Sequence, residues 1–109
     1  MRQLVRGTNI RISKPLKDYT EKKLIQPLKK LTKHVRSVTV RFTDEDLSNH
    51  NSPVYAKALV ILSTGKVLEV EQKNFSYYDA VNKLADRMKH VVAKNVDRMR
   101  EHRRINGKH

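Results

Sequence analysis

Three β-like stretches stand in a row between two helical ones, and that order constrains this chain more than any other feature. Val38, Val40 and Phe42 alternate with Thr39, Arg41 and Thr43, the pattern of a strand with one wet face. Residues 54–62 return to β character. Over residues 67–72, Leu68 and Val70 face one way while Glu69 and Glu71 face the other. Ser63-Thr64-Gly65-Lys66 between the last two stretches is a good hairpin connection. The polar run at residues 43–53, rich in Asp, Asn and Ser, predicts a loop. A sheet patterned this way has one apolar face to hide, and helices before and after it are what the chain offers as cover.

The helices have their own signals. Residues 3–6 predict a short first strand, punctuated by Gly7 and Asn9, and Ile10 and Ile12 lead towards a helix capped by Ser13 with Pro15 in its first turn. Leu16, Tyr19, Leu24, Leu28 and Leu31 recur at helical spacing. Pro27 removes a backbone bond and disfavours helical geometry at Gln26, which predicts a kink or break there. Ser76-Tyr77-Tyr78-Asp79 has capping-box spacing, with Asp79 in place of the usual Glu. From it Val81, Leu84, Ala85, Met88, Val91, Val92, Val96 and Met99 hold a helical period to about Arg100, and residues 101–109 read as a polar, frayed tail. The expectation is an α+β, βαβββα two-layer sandwich. Two helices pack on one face of a four-stranded, mainly antiparallel sheet, with residues 1–102 as the single domain and 103–109 as a short basic tail. At 109 residues the chain has material for one core.

Charge narrows the partner. Lys and Arg number 24 against 11 Asp and Glu, a formal charge of +13, where solubility asks for roughly 2–8 in a small domain. Residues 14–33 and residues 78–109 each carry +5. At roughly 100° per residue, Lys83, Arg87, His90, Lys94 and Arg98 fall within an arc of about 80°, more than about 100° from the centre of the apolar stripe, flanked by Asp79, Asp86 and Asp97. Lys22, Lys29 and Lys33 point away from the apolar side of the first helix if Pro27 leaves the phase intact. Lys and Arg are also ordinary helix formers on wet surfaces. Two cationic helices side by side nevertheless predict one joint surface for the phosphates of a nucleic acid, each contact releasing counterions. Membrane association ranks below this, because the basic helix needs its apolar face for the core. A protein module for an acidic partner is the remaining alternative. Only six aromatic residues are present, four Tyr and two Phe, and no aromatic dyad of an RNA-recognition sheet is visible, so contact with folded RNA fits better than base reading.

Catalytic patterns are missing. No nucleophile elbow, P-loop or dinucleotide fingerprint occurs, and without cysteine there are neither disulfides nor thiolate metal sites. Asp44-Glu45-Asp46 with His50 reads as solvated loop rather than metal site. Asp86 and His90, four apart, read as a side-chain pair. Neither an enzyme nor a cofactor, metal or small-molecule substrate is expected. With no signal peptide and no bilayer-length apolar run, a cytoplasmic protein is.

Several stretches also carry a family likeness. Val5-Arg6-Gly7-Thr8-Asn9-Ile10 with Ser13 and Leu16, Tyr19-Thr20-Glu21-Lys22-Lys23-Leu24, and Phe75-Ser76-Tyr77-Tyr78-Asp79-Ala80-Val81-Asn82 resemble the opening strand and the two helix starts of the ribosome hibernation-promoting factors. That family includes the ribosome-associated inhibitor and was once labelled sigma-54 modulation protein. The resemblance spans about residues 2–102. It implies a domain lodged in the decoding region of the small ribosomal subunit, occluding the mRNA path and the tRNA sites. Basic helix residues would contact rRNA there, with Lys22 and Lys23 on the first helix and Arg87, His90, Lys94 and Arg98 on the second. The full set of expected RNA-binding residues is Lys22, Lys23, Lys29, Lys33, Lys83, Arg87, His90, Lys94 and Arg98. The alternative is a general binder of structured RNA or double-stranded nucleic acid. Off the ribosome a monomer is expected. Because only five residues follow Arg104, self-driven ribosome dimerisation is not.

Overall fold

The computed structural model describes residues 1–31, 33–44 and 52–106. Strand β1 (Arg2–Gly7) is followed by helix α1 (Lys14–Thr20), a π-helical turn (Glu21–Ile25) and helix α2 (Gln26–Lys29). Strands β2 (Val35–Asp44), β3 (Val54–Leu62) and β4 (Val67–Asn74) come next, and helix α3 (Tyr77–Asn106) last. The strands lie in the order β1-β2-β3-β4, with β1 parallel to β2 and the other two pairs antiparallel. The fold is the α+β arrangement expected, an open mixed sheet with its helices on one face. Its one parallel pair follows from the first helix, since parallel neighbours need a crossover between them.

Ser13 caps α1, its Oγ accepting the N–H of Leu16 at 3.3 Å. Helix geometry does not stop at Pro27. Gln26 has φ −57° and ψ −43°, and its N–H donates to the carbonyl of Glu21, five residues back. Proline lacks an N–H and its ring crowds the carbonyl four residues earlier. The widened π turn just before Pro27 absorbs that conflict within a continuous helix. It also moves the apolar stripe, so that the adjacent Leu24 and Ile25 are both buried, although only Leu24 was on the expected face. Helical structure ends at Lys29. Lys33, expected on the helix, lies in the connection to β2, where Leu31 N–H bonds to the Leu28 carbonyl and Val35 N–H to that of Leu31. The chain must turn there because Val35, 2% exposed, already belongs to the sheet.

Strand β2 starts earlier than the alternation suggested, with a register shift between Val35 and Ser37. It also takes in Thr43 and Asp44 from the expected loop, of which residues 45–51 lie outside the described residues. Helix α3 opens as read, with Ser76 Oγ accepting the N–H of Asp79 at 3.4 Å. It continues to Asn106, beyond the expected end near Arg100, through a stretch rich in Arg and Glu, which favour helix by intrinsic propensity. Residues 107–109 lie outside the described residues.

One face of the sheet supplies half the core: Val38, Val40 and Phe42 of β2, Ala56, Ala58 and Val60 of β3, Leu68 and Val70 of β4. The other half comes from Leu16, Leu24, Ile25 and Leu28 beneath the first helix and Val81, Leu84, Met88, Val92 and Val96 beneath α3. Asp44 gathers the end of this sandwich. Its backbone is held both ways by the Asn9 amide, its carboxylate accepts Ser52 Oγ at 2.8 Å, and it also accepts the Tyr77 phenol. The Tyr77 ring stands edge-on to Phe42 at 5.7 Å. Gly7 is required nearby, since a Cβ there would lie 2.2 Å from the Ile10 carbonyl oxygen.

Phe42→Ala is expected to cost about 3–5 kcal/mol, the transfer and cavity cost of a buried aromatic, read as a lower urea midpoint. A cost below about 1 kcal/mol would place Phe42 outside the core. Burial, and then the charge and hydrogen bond of Asp44, raise the Tyr77 phenol above its ordinary 10.0. On raising the pH the unfolded chain therefore releases this proton first, so the contribution is complete below pH 10 and lost as the pH climbs through the higher folded value. Wild type should lose more stability between about pH 9 and about pH 11 than Tyr77→Phe, and matching losses would sink the assignment.

Candidate nucleic-acid interface

The two helical segments meet along one seam. Tyr19 Oη donates to Asn82 Oδ1 at 2.6 Å, and the Tyr19 ring sits edge-on to Tyr78 with centroids 4.9 Å apart. Below this contact a groove of about 130 Å³ separates the helices, with Lys23 and Pro27 on one bank and Asp86 and Lys89 on the other. Tyr78, Asn82, Ala85 and Lys89 thus define the side of α3 that faces its neighbour. Arg87 marks the opposite side, where its Nη1 donates to the Glu71 carbonyl at 2.7 Å and to Gln72 Oε1 at 3.1 Å, both on β4.

These two contacts orient the α3 side chains from Tyr77 to Arg98. All nine expected RNA-binding residues, Lys22, Lys23, Lys29, Lys33, Lys83, Arg87, His90, Lys94 and Arg98, are exposed. At about 100° per residue, Lys83, Lys94 and Arg98 share the Arg87 flank, over the β4 side of the molecule, and His90 leans outward from it. Lys23 lies on the other track, its ammonium 5.9 Å from the Tyr19 ring centroid, with Lys89 across the groove. By the same spacing Asp79, Asp86 and Asp97 fall midway between the tracks. The expected single wall of charge is therefore two cationic tracks with carboxylates between them. The reason is the rotation of α3: its core stripe of Val81, Leu84, Met88 and Val92 turns the basic row towards β4, not straight out.

Lys22 and Lys29 stand with Lys23 on the first helical segment, and Lys33 stands beyond its end. Among the described residues the ion pairs are those of Lys57 with Glu69 and Glu71 on the sheet, so none of the nine is neutralised by a neighbouring acid. Lys89 was missed by the sequence reading because it lies outside the arc of the basic row. Its signal was its spacing from Asn82 and Ala85, which only the seam with Tyr19 makes meaningful.

Tyr78, taken from the sequence as a residue of the helix start or core, is 42% exposed, and Phe75 is 75% exposed. Among the described residues no group of three or more His, Asp or Glu is placed to hold a metal, and Glu45, Asp46 and His50 lie outside them. No described helix is long and apolar enough to cross a membrane. What the arrangement presents is fixed positive charge on a rigid layer.

Comparison with known proteins adds to this geometry. The model of the family described as Sigma 54 modulation protein / S30EA ribosomal protein matches residues 4–100. Among solved structures, the chain is similar to the Thermus thermophilus Protein Y N-terminal domain at 23% identity, covering 86% of this chain and 98% of that one with a TM-score of 0.68. It is also similar to a ribosomal subunit interface protein from Coxiella burnetii at 21% identity, covering 89% and 99%, with a TM-score of 0.72. Among curated proteins no sequence matches.

The geometry makes the β4-side track separable from the fold. The combined change Arg87→Glu, Lys94→Glu and Arg98→Glu should cost no more than about 1–2 kcal/mol, because exposed polar contacts are worth little. Thermal unfolding followed by circular dichroism measures it. A loss above about 4 kcal/mol would show these side chains to be structural.

Proposed function

The chain belongs to the Sigma 54 modulation protein / S30EA ribosomal protein family, a ribosome-associated modulation family and not a known enzyme family, and on that premise we propose that it silences ribosomes by occupying the decoding region of the small subunit. Residues 1–102 are the binding unit, and residues 103–109 are a basic extension. The cationic helix layer rests on rRNA phosphates, and the bulk of the domain blocks the mRNA path and the tRNA sites. The protein acts as a monomer in the cytoplasm and uses no cofactor.

The observation that carries this reading is the un-neutralised charge of the helix layer. The cations stand on both flanks of α3, a helix about 10–12 Å across with its side chains, so the two tracks can each meet a separate run of phosphates. The carboxylates between them repel a phosphate but accept hydrogen bonds from 2′-hydroxyls, groups that RNA has and DNA lacks. Such a surface suits the folded shape of an RNA more than its base sequence.

Ribosome pelleting over a salt series tests the proposal. The chain should pellet with small subunits and intact ribosomes at low salt and be released as salt rises. Removing three phosphate contacts with the Arg87, Lys94 and Arg98 reversals should flatten the log–log salt dependence by about 2–3 units and abolish inhibition of translation. Lys22→Glu with Lys23→Glu should weaken binding independently. If bulk duplex RNA competes as well as ribosomes do, the chain is a general structured-RNA binder instead, and the decoding-region assignment fails.

A further inference from the structure

The sheet has a second face, turned away from the helices, and its charges do not balance. Arg6 of β1 is the register partner of Arg41 on β2, Arg41 that of Lys57 on β3, and Lys57 that of Glu71 on β4. Register partners on neighbouring strands point the same way, about 4.8 Å apart. One row across all four strands therefore holds three cations and one carboxylate. Lys57 engages Glu69 at 3.2 Å and Glu71 at 3.7 Å, which occupies both acids of β4. The guanidinium groups of Arg6 and Arg41 are left side by side with no hydrogen bond or ion pair among the described residues. Like charges directly opposite each other across a strand pair are destabilising.

The next row shows what would relieve that cost. It carries Thr43, Tyr55 and Lys73, with Lys73 Nζ 5.7 Å from the Tyr55 ring centroid, and Thr8 closes it from the end of β1, its N–H bonded to the Phe42 carbonyl at 2.9 Å. Between the two rows lies a shallow, open cleft of about 370 Å³ lined by Thr8, Arg41, Thr43, Tyr55, Lys57 and Glu71. That is room for a small organic ligand rather than a bare ion. A guanidinium fork matches a phosphate bidentately, the two threonine hydroxyls can donate to the same group, and an aromatic ring gives a base something flat to lie against. Glu71, held on the Lys57 side, directs an anion towards Arg41 and Arg6.

We infer that this cleft binds a nucleotide, with its phosphate on Arg41, Arg6 and the hydroxyls of Thr8 and Thr43, and its base at Tyr55. The nucleotide is either free or one unit of a single-stranded RNA. The site lies on the opposite face from the helix tracks and does not depend on the ribosome reading.

Titrating the isotope-labelled full chain by NMR tests the site with four probes: inorganic phosphate, uridine monophosphate, hexauridylate and hexaglutamate. Uridine monophosphate should shift the amides of Thr8, Arg41, Thr43 and Tyr55 at a concentration at least tenfold below that needed with phosphate. Arg41→Gln, and separately Arg6→Gln, should weaken it at least tenfold, with the rest of each spectrum reporting an intact fold. The Arg87, Lys94 and Arg98 reversals, which should weaken ribosome pelleting and flatten its salt dependence, should leave it within twofold. Hexauridylate more than tenfold tighter than the monophosphate identifies a strand as the ligand, and equal affinities identify a free nucleotide. Three results would each overturn the proposal: equal response to phosphate and nucleotide, equal response to hexaglutamate, or shifts confined to the helices.

Discussion

Packing of one sheet face against two helices holds this molecule together against its own charge. Val38, Val40, Phe42, Ala58, Val60, Leu84, Met88 and Val92 are all fully enclosed at that contact, and each large apolar side chain buried there contributes about 1.5–3 kcal/mol. An exposed ion pair contributes about 0–1 kcal/mol, and the described residues form such pairs only around Lys57. Apolar burial thus sets the structure, and the +13 charge is carried on its outside. Because the core does not rely on ion pairing, the helix cations remain available to an external polyanion.

The same packing determines where those cations point. A helix buried along Val81, Leu84, Met88 and Val92 has no freedom to roll, so its basic row is delivered to the β4 side, where Arg87 reaches the Glu71 carbonyl. The first helical segment is likewise held by Leu24, Ile25 and Leu28, with its π turn accommodating Pro27. Tyr19, bonded to Asn82 and packed on Tyr78, locks the spacing between the segments. The two tracks are a rigid consequence of two buried stripes and one polar seam.

The molecule consequently has two charged faces of different character. On the helix side, cations lie on convex flanks with carboxylates between them, a form suited to an extended polyanion. On the sheet side, Arg6 and Arg41 lie next to a cleft with hydroxyls and an aromatic ring, a form suited to one small group. The division arises because β-strands place neighbouring side chains in flat rows while helices spread them around a cylinder.

Much of this was legible in residue order. Alternation at Val38–Val40–Phe42, the cap at Ser13, the start at Ser76 and the long period from Val81 to Val96 are local signals, produced by one or two turns or a few strand residues, and they led to the two-layer α+β fold and to a charged helix exterior. The π turn, the burial of Ile25 and the position of Lys33 outside the helix were not legible, since each depends on how a local preference is resolved against neighbouring packing. Residue types and their periods by themselves determined that this chain folds as helices over a sheet and carries its positive charge outward. Only the tertiary structure decided that the charge divides into two tracks and that Arg6 meets Arg41, because helix rotation and strand register are set by contacts between segments far apart in the chain.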